Sequence, residues 1–238
     1  MLTVFRQVLD RLGEQICSGH FAPGDVLPSE PELAQQLAVS RITIRESVKS
    51  LSAKGMLEVR RRHGTVVTAR TRWQLFDPDV IAWRAKAGTV DTVLIRDLME
   101  LRRIIEPQAA KLAAARATDM ERRALRYAYD AMAAAVAGRG EYVPADLAFH
   151  GAIFSACNNQ FIQQMQTALS AILRTSFALS SEIEGGPARS LPMHEALCRA
   201  IEQANPAAAE RAALELIDRA ANDFADREAI LKNAAVAT

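Results

Sequence analysis

Phenylalanine, tryptophan and tyrosine make up only 5% of this 238-residue chain, while alanine is abundant. Strand faces lean on aromatic and β-branched side chains, so this shortage weighs against a sheet framework and for packed helices. Cysteine is equally scarce. Cys17, Cys157 and Cys198 are odd in number, far apart and part of no paired motif. That excludes a disulfide framework or a zinc ribbon and suits small core residues in a reducing compartment. No apolar run approaches a membrane span, and no apolar segment precedes a signal cleavage site. The expectation is a cytoplasmic protein with no membrane association. A glycine-rich phosphate loop, zinc-finger spacing and a nucleophile elbow are all missing, which removes the commonest signatures of nucleotide and acyl-transfer chemistry. An excess of either charge is missing too: the net charge is +1.

What is present is uneven. Half the residues are hydrophobic, enough for a sizeable core, and the length suits one large domain or two small ones. Residues 1–72 hold 11 Lys and Arg against 7 Asp and Glu, a net +4, and the remainder holds 18 against 21, a net −3. A basic N-terminal part on a mildly acidic body fits two domains and a polyanion partner.

The N-terminal part reads as three helices and a hairpin. Val4, Val8, Leu9, Leu12 and Ile16 predict a first helix ended by Gly19. The turn that follows holds His20, read as structural. Ser29 and Glu32 have capping-box spacing and open a second helix. Ser40 is placed to cap a third, Val39 to Lys54, which buries Ile44, Val48 and Leu51. Arg41, Arg45 and Lys49 sit four apart on its other side with Thr43 beside them. That row suits a major groove, and a solvated face is the open alternative. Leu57–Arg60 and Thr65–Thr68 predict strands around the basic turn Arg61-Arg62-His63-Gly64, a wing able to reach phosphates or a minor groove.

Residues 71–89 read as a linker with a short helix, Asp77 to Ala87, ended by Gly88. From residue 90 the chain is helical. Thr92 to Arg116 carries Pro107, expected to kink or break it. Thr118 with Glu121 caps the next helix, closed by Gly138-Arg139-Gly140. Tyr142 to Ala156, Gln160 to Ser180, Leu191 to Gln203 and a last helix opened by Asn205-Pro206 follow. Asp146 and His150 share one helix face, and His194 lies in a later helix. A carboxylate and an imidazole presented together make either a structural hydrogen bond or a divalent-cation site. Arg102 either pairs with Glu106, one turn on, or meets an anionic ligand bidentately.

Residues 1–70 resemble the DNA-binding domain of the GntR family of bacterial regulators. The resemblance rests on Gly24-Asp25-Val26-Leu27-Pro28-Ser29-Glu30, Glu32-Leu33-Ala34, Val39-Ser40-Arg41, Thr43-Ile44-Arg45-Glu46, Gly55 and His63-Gly64-Thr65-Val66-Val67. It implies a winged helix-turn-helix on double-stranded operator DNA, with Ser29, Glu30, Ser40, Arg41, Thr43, Arg45, Lys49, His63 and Gly64 as DNA-binding residues. Arg45 is the foremost candidate for guanine reading. Gln35 and Gln36 stand where many relatives carry an arginine.

Residues 90–238 are similar to the all-helical FCD effector domain of the FadR subfamily. The matching residues are Leu101-Arg102-Arg103, Glu106-Pro107, Asp146-Leu147-Ala148-Phe149-His150, Asn158-Asn159 and His194-Glu195-Ala196-Leu197. That resemblance implies a mainly α protein acting as a homodimer. Asp146, His150 and His194 would be ligands of a divalent metal, zinc or nickel, and with Arg102 would bind a small carboxylate effector. The subfamily's usual fourth ligand, a histidine of the last helix, is replaced by Ile217. Asp77–Trp83 and Ala213–Ile217 look like the galactonate-responsive regulators of the subfamily, which implies a sugar-acid effector such as an aldonate. Asn158, Gln163, Arg174, Ser176 and Ser180 are possible hydroxyl-reading donors. The function so implied is a ligand-responsive regulator, a repressor released from DNA by its effector. A helical-bundle metalloenzyme using Asp146, His150 and His194 is the rival.

Overall fold

The structure is a computed structural model that describes residues 3–86, 92–166, 170, 173–174 and 185–236. It divides into two compact units, Met1–Asp91 and Thr92–Thr238.

The first unit starts with α1 (Val4–Cys17), α2 (Glu30–Gln36) and α3 (Arg41–Ala53). Each helix start is held by the residue its sequence provides. Thr3 Oγ1 accepts the Arg6 N–H, Glu32 accepts the Ser29 N–H at 2.8 Å, and Ser40 Oγ accepts the Thr43 N–H at 3.1 Å. Leu12, Ile16, Leu33, Ile44 and Leu51 recur at helical spacing and close one shared core. Then β1 (Leu57–Arg60) and β2 (Gly64–Val67) pair antiparallel, Leu57 opposite Val67 and Arg60 opposite Gly64. The turn needs positive φ at Arg62 (+68°) and Gly64 (+83°), which only the glycine adopts without strain. β2 starts one residue earlier than expected. Thr68 leaves the ladder, its N–H bonding the Met56 carbonyl at 3.0 Å. The far edge of β2 is covered by residues 24–27: Leu27 N–H bonds Thr65 O at 2.8 Å and Val67 N–H bonds Asp25 O at 2.9 Å.

The stretch expected to be linker departs from expectation. Trp73, Val80 and Trp83 belong to the core of the first unit. Trp83 lies on α4 (Pro78–Lys86), and its indole N–H donates to Asp10 Oδ1 at 2.8 Å. Its ring is so close to Gly13 that a Cβ there would come within 2.3 Å. Lys54 Nζ reaches Asp77 at 2.6 Å and Asp79 at 2.8 Å, and Arg6 reaches Asp79 at 2.7 Å. Polar composition suggested solvent, but the charges are paired across elements and the tryptophans are buried. The expected stop at Gly88 lies outside the described residues.

The second unit consists of α5 (Thr92–Arg116), α6 (Asp119–Val136), α7 (Tyr142–Ala156), α8 (described over 160–166), α9 (Gly186–Glu202) and α10 (Pro206–Val236). α5 packs on α10 and α7, and α6 on α7 and α9. Pro107 does not break α5. The alanines after it, Ala109, Ala110, Ala113 and Ala114, are fully buried, so close helix packing carries α5 through the missing hydrogen bond. α9 opens at Gly186 rather than Leu191. Pro187 occupies its first turn, where proline is tolerated, and Pro192 falls inside the helix. Residues 167–169, 171–172 and 175–180 of the expected Gln160–Ser180 helix lie outside the described residues. No helix, among the described residues, is long and apolar enough to cross a membrane.

Candidate functional site

In the first unit, α3 exposes Arg41, Arg45 and Lys49 and half-buries Thr43, while Ile44, Val48 and Leu51 are buried. Ser40 is committed to its cap, with its hydroxyl also 2.9 Å from that of Thr43. Arg45 Nε lies 3.3 Å from Glu30 Oε2, so the start of α2 and the middle of α3 meet at the exposed face. Lys49 pairs with Glu46 at 2.9 Å. Ser29 sits at the N-cap of α2, and His63 and Gly64 lie exposed at the wing tip beside Arg61 and Arg62. Sequence reasoning passed over Ile42. It is 73% exposed on α3, three residues from Arg45. A large apolar side chain left in water amid a cationic row is a signal in itself, since an apolar contact is how a thymine methyl is read.

In the second unit, three helices bring Arg102 and Glu106 (α5), Asp146 and His150 (α7) and His194 (α9) together in the interior, none more than 4% exposed. His150 Nε2 and His194 Nε2 approach Asp146 Oδ1 to 3.4 and 3.2 Å. Neither meets it in hydrogen-bond geometry, and Oδ1 is left buried without a hydrogen-bond partner among the described residues. The other ring nitrogens are occupied. His150 Nδ1 is 3.0 Å from Glu106 Oε2, and His194 Nδ1 is 2.9 Å from the Ser190 carbonyl. A carbonyl accepts only, so His194 donates from Nδ1 and leaves Nε2 facing Asp146. Phe149, fully buried, meets both imidazoles edge-on. One ligand atom from each of Asp146, His150 and His194 lies within 4.8 Å of the others. A bare carboxylate oxygen facing two imidazole nitrogens requires something positive between them: a proton, or a divalent cation.

The electrostatics agree. Burial would raise the Glu106 carboxyl, but Arg102 and His150 outweigh it and bring it to about 2. Burial likewise opposes ionisation of Asp146, and the two imidazoles hold it below the usual carboxylate range. Burial would lower His150, but Glu106 and Asp146 raise it to about 9. A divalent cation held on His150 Nε2 would take the place of the proton that Glu106 and Asp146 favour on that ring.

The cluster opens on a cavity of about 500 Å³, solvent at its mouth included. Arg102, Asp146, His150 and His194 line it together. Arg102 takes the first of its two expected roles, the pairing with Glu106. It lines the cavity, and its Nε and Nη2 hold Glu106 at 2.6 and 3.4 Å. Three of the expected hydroxyl readers are described, and none of the three is on the wall. Asn158, Gln163 and Arg174 are not among its lining residues, and Ser176 and Ser180 lie outside the described residues. The polar wall comes instead from Tyr142 and Ser190, whose hydroxyls are 2.9 Å apart, and from Arg219 and Asp223, paired at 3.1 Å. Ile217 is fully buried, and α10 faces the cavity with Leu216, Arg219, Ala220 and Asp223. The spacing of 216, 219, 220 and 223 was the available signal.

Two domains with these contents, a winged helix-turn-helix and a helical bundle enclosing an Asp-His-His cluster, define a transcriptional regulator. Residues 5–67 match the bacterial regulatory proteins of the gntR family, and residues 97–219 match the FCD domain. The chain belongs to the GntR family of transcriptional regulators, in its FadR subfamily. It is 35% identical over 212 residues to the galactonate operon transcriptional repressor of Escherichia coli strain K12, covering 89% of this chain and 92% of that one. It is 28% identical over 204 residues to the transcriptional regulator LutR of Bacillus subtilis strain 168, covering 84% and 91%. The solved structure of Lar from Listeria monocytogenes matches with a TM-score of 0.60 at 22% identity, over 93% of this chain and 98% of that one, a likeness of fold. The metalloenzyme reading falls here, since the family is one of regulators.

Proposed function

We propose that this regulator is a repressor of a sugar-acid catabolic operon and that a carboxylate of the aldonate type releases it from its operator. The observation that carries this reading is the opening of the Asp146, His150 and His194 cluster and the buried Arg102 onto one cavity. Bound there, a divalent cation such as zinc or nickel supplies Lewis-acid coordination for the acid's carboxylate, with Asp146, His150 and His194 as its protein ligands. Arg102 meets the same carboxylate with N–H donors. The hydroxylated remainder of the ligand faces Tyr142, Ser190, Arg219 and Asp223, a set of donors and acceptors that a fatty acyl chain would leave unpaired. Similarity to the galactonate operon repressor supports the same class of ligand.

The protein acts as a homodimer on a pseudo-palindromic operator, each copy reading one half-site with Arg41, Ile42, Thr43, Arg45 and Lys49. Ser29 and Glu30 support these from α2, and His63 and Gly64 bring the wing to the backbone. Release follows only if the acid binds the non-operator arrangement of the dimer more tightly than the operator-bound one.

A thermal-shift screen over aldonates, lactate, dicarboxylates and fatty acyl compounds, with and without zinc, tests the reading. An aldonate is expected to give the largest stabilisation and to need the metal. Stabilisation by no acid would remove the effector site. Metal analysis of protein purified without a metal-affinity tag should find one equivalent, lost in His150→Ala.

A further inference from the structure

Glu106 occupies an unusual place in this cluster. It is fully buried, and one carboxylate serves two partners that the site needs for different ligands. Oε1 accepts from Arg102 Nε at 2.6 Å. Oε2 lies 3.0 Å from His150 Nδ1 and 3.4 Å from Arg102 Nη2. The anion-reading guanidinium and a cation-ligating imidazole are thus tied to the same group.

We propose that Glu106 is the positioning residue that couples the cation to the acid. It keeps the Nδ1 proton on His150 and so aims Nε2 at the cation, and it anchors the Arg102 guanidinium on the cavity wall where the ligand carboxylate would meet it. The proposal rests on the reading above, in which a metal and an acid share this cavity.

The coupling follows from sharing. A cation on His150 Nε2 draws electron density from the ring and makes the Nδ1–H a stronger donor to Glu106 Oε2. That oxygen then accepts less from Arg102 Nη2, and the guanidinium turns more of its donor capacity to the incoming acid. In the reverse direction, an acid on Arg102 leaves Glu106 free to polarise His150 and tighten the metal. By linkage the two enhancements are one factor. Direct coordination of the acid to the cation contributes to the same factor, so removal of Glu106 reduces it without abolishing it.

The test measures zinc affinity by competition with a fluorescent chelator, and galactonate affinity by calorimetry, on zinc-free and zinc-saturated full-length protein. Wild type and Glu106→Gln are compared. The amide keeps the volume of the side chain but cannot serve both partners as an anion. The expected result is a loss of zinc affinity of about 10- to 100-fold, the usual effect of removing an outer-shell partner. The factor by which zinc improves galactonate binding should fall about fivefold or more, to the same extent as the factor by which galactonate improves zinc binding. A merely structural role would lower both affinities and leave that factor unchanged, which would overturn the proposal. So would a folded Glu106→Gln with wild-type zinc affinity. If Glu106→Gln does not fold, Glu106→Asp is judged by the same two criteria, since its shorter carboxylate reaches only one partner. Wild type that binds neither zinc nor any acid would overturn the underlying reading of the cavity and this proposal with it.

Discussion

At the scale of residues, the exposed face of α3 and the buried cluster use charge in opposite ways. On α3 the cations are exposed and carry partners that water can replace. The Arg45–Glu30 and Lys49–Glu46 pairs are each worth little in solution. On the proposed reading, these pairs pre-orient the guanidinium and ammonium before DNA arrives. Arg45→Ala is therefore expected to abolish specific operator binding in a fluorescence anisotropy titration, while leaving stabilisation by the effector intact. Unchanged operator affinity would remove α3 as the reading helix. Ile42 makes a sharper case. If its exposed side chain covers a thymine methyl, replacing the contacted thymine by uracil should weaken wild type by about 0.8 kcal/mol, one methyl's worth of burial. Ile42→Ala should lose that discrimination. Equal sensitivity to the methyl in both proteins would place Ile42 off the base edges.

At the scale of elements, α4 shows what sequence could and could not reveal. Periodicity marked α1, α2 and α3 because each buries a stripe. Capping chemistry marked their starts, and Ser40 and Thr118 cap as their spacing predicted. The segment 71–89 misled because its buried tryptophans stand singly among polar residues, and those polar residues find partners only in the fold: Lys54, Arg6 and Asp10 are far away in sequence. The same holds in the second unit. Asp146 and His150 announced themselves by four-residue spacing. Glu106 stood out as the neighbour of Arg102 and in the FCD resemblance but not as a partner of His150, because that contact crosses from α5 to α7. Arg219 and Asp223 lie on α10 beyond Ala213–Ile217, the part of that helix to which the resemblance pointed.

Both tryptophans of the chain, Trp73 and Trp83, are in the first unit and buried, so their fluorescence reports that unit alone. Gly13→Ala would drive a Cβ into the Trp83 ring, backbone against a packed indole. It is expected to lower the fluorescence-monitored melting temperature, with a destabilisation of about 1–3 kcal/mol, the usual cost of overpacking a core. A wild-type transition would mean that α4 is not packed as described. Acid should act on the same junction. Burial opposes ionisation of Asp79, but Arg6 and Lys54 outweigh it, and its pKa is lowered. A lowered folded pKa means that the stabilisation is present above the ordinary aspartate range near 4 and is lost as pH falls below it. The transition of wild type should weaken over that range more steeply than that of Asp79→Asn. Identical slopes would assign the acid sensitivity elsewhere.

At the scale of the whole molecule, two units of different chemistry must be coupled if the chain is to regulate. A tenfold loss of operator affinity on effector binding corresponds to about 1.4 kcal/mol of coupling, within the usual range. The acid needs only that much preference for one arrangement of the dimer over the other. The most direct measurement takes a palindromic duplex selected by the protein from random sequence and follows its anisotropy against wild-type protein, zinc-loaded, with and without saturating galactonate. The account predicts that galactonate weakens operator binding about tenfold or more, and that Arg102→Lys, folded and still bound to the operator, does not respond. Operator affinity unchanged by an acid that demonstrably occupies the cavity would contradict it.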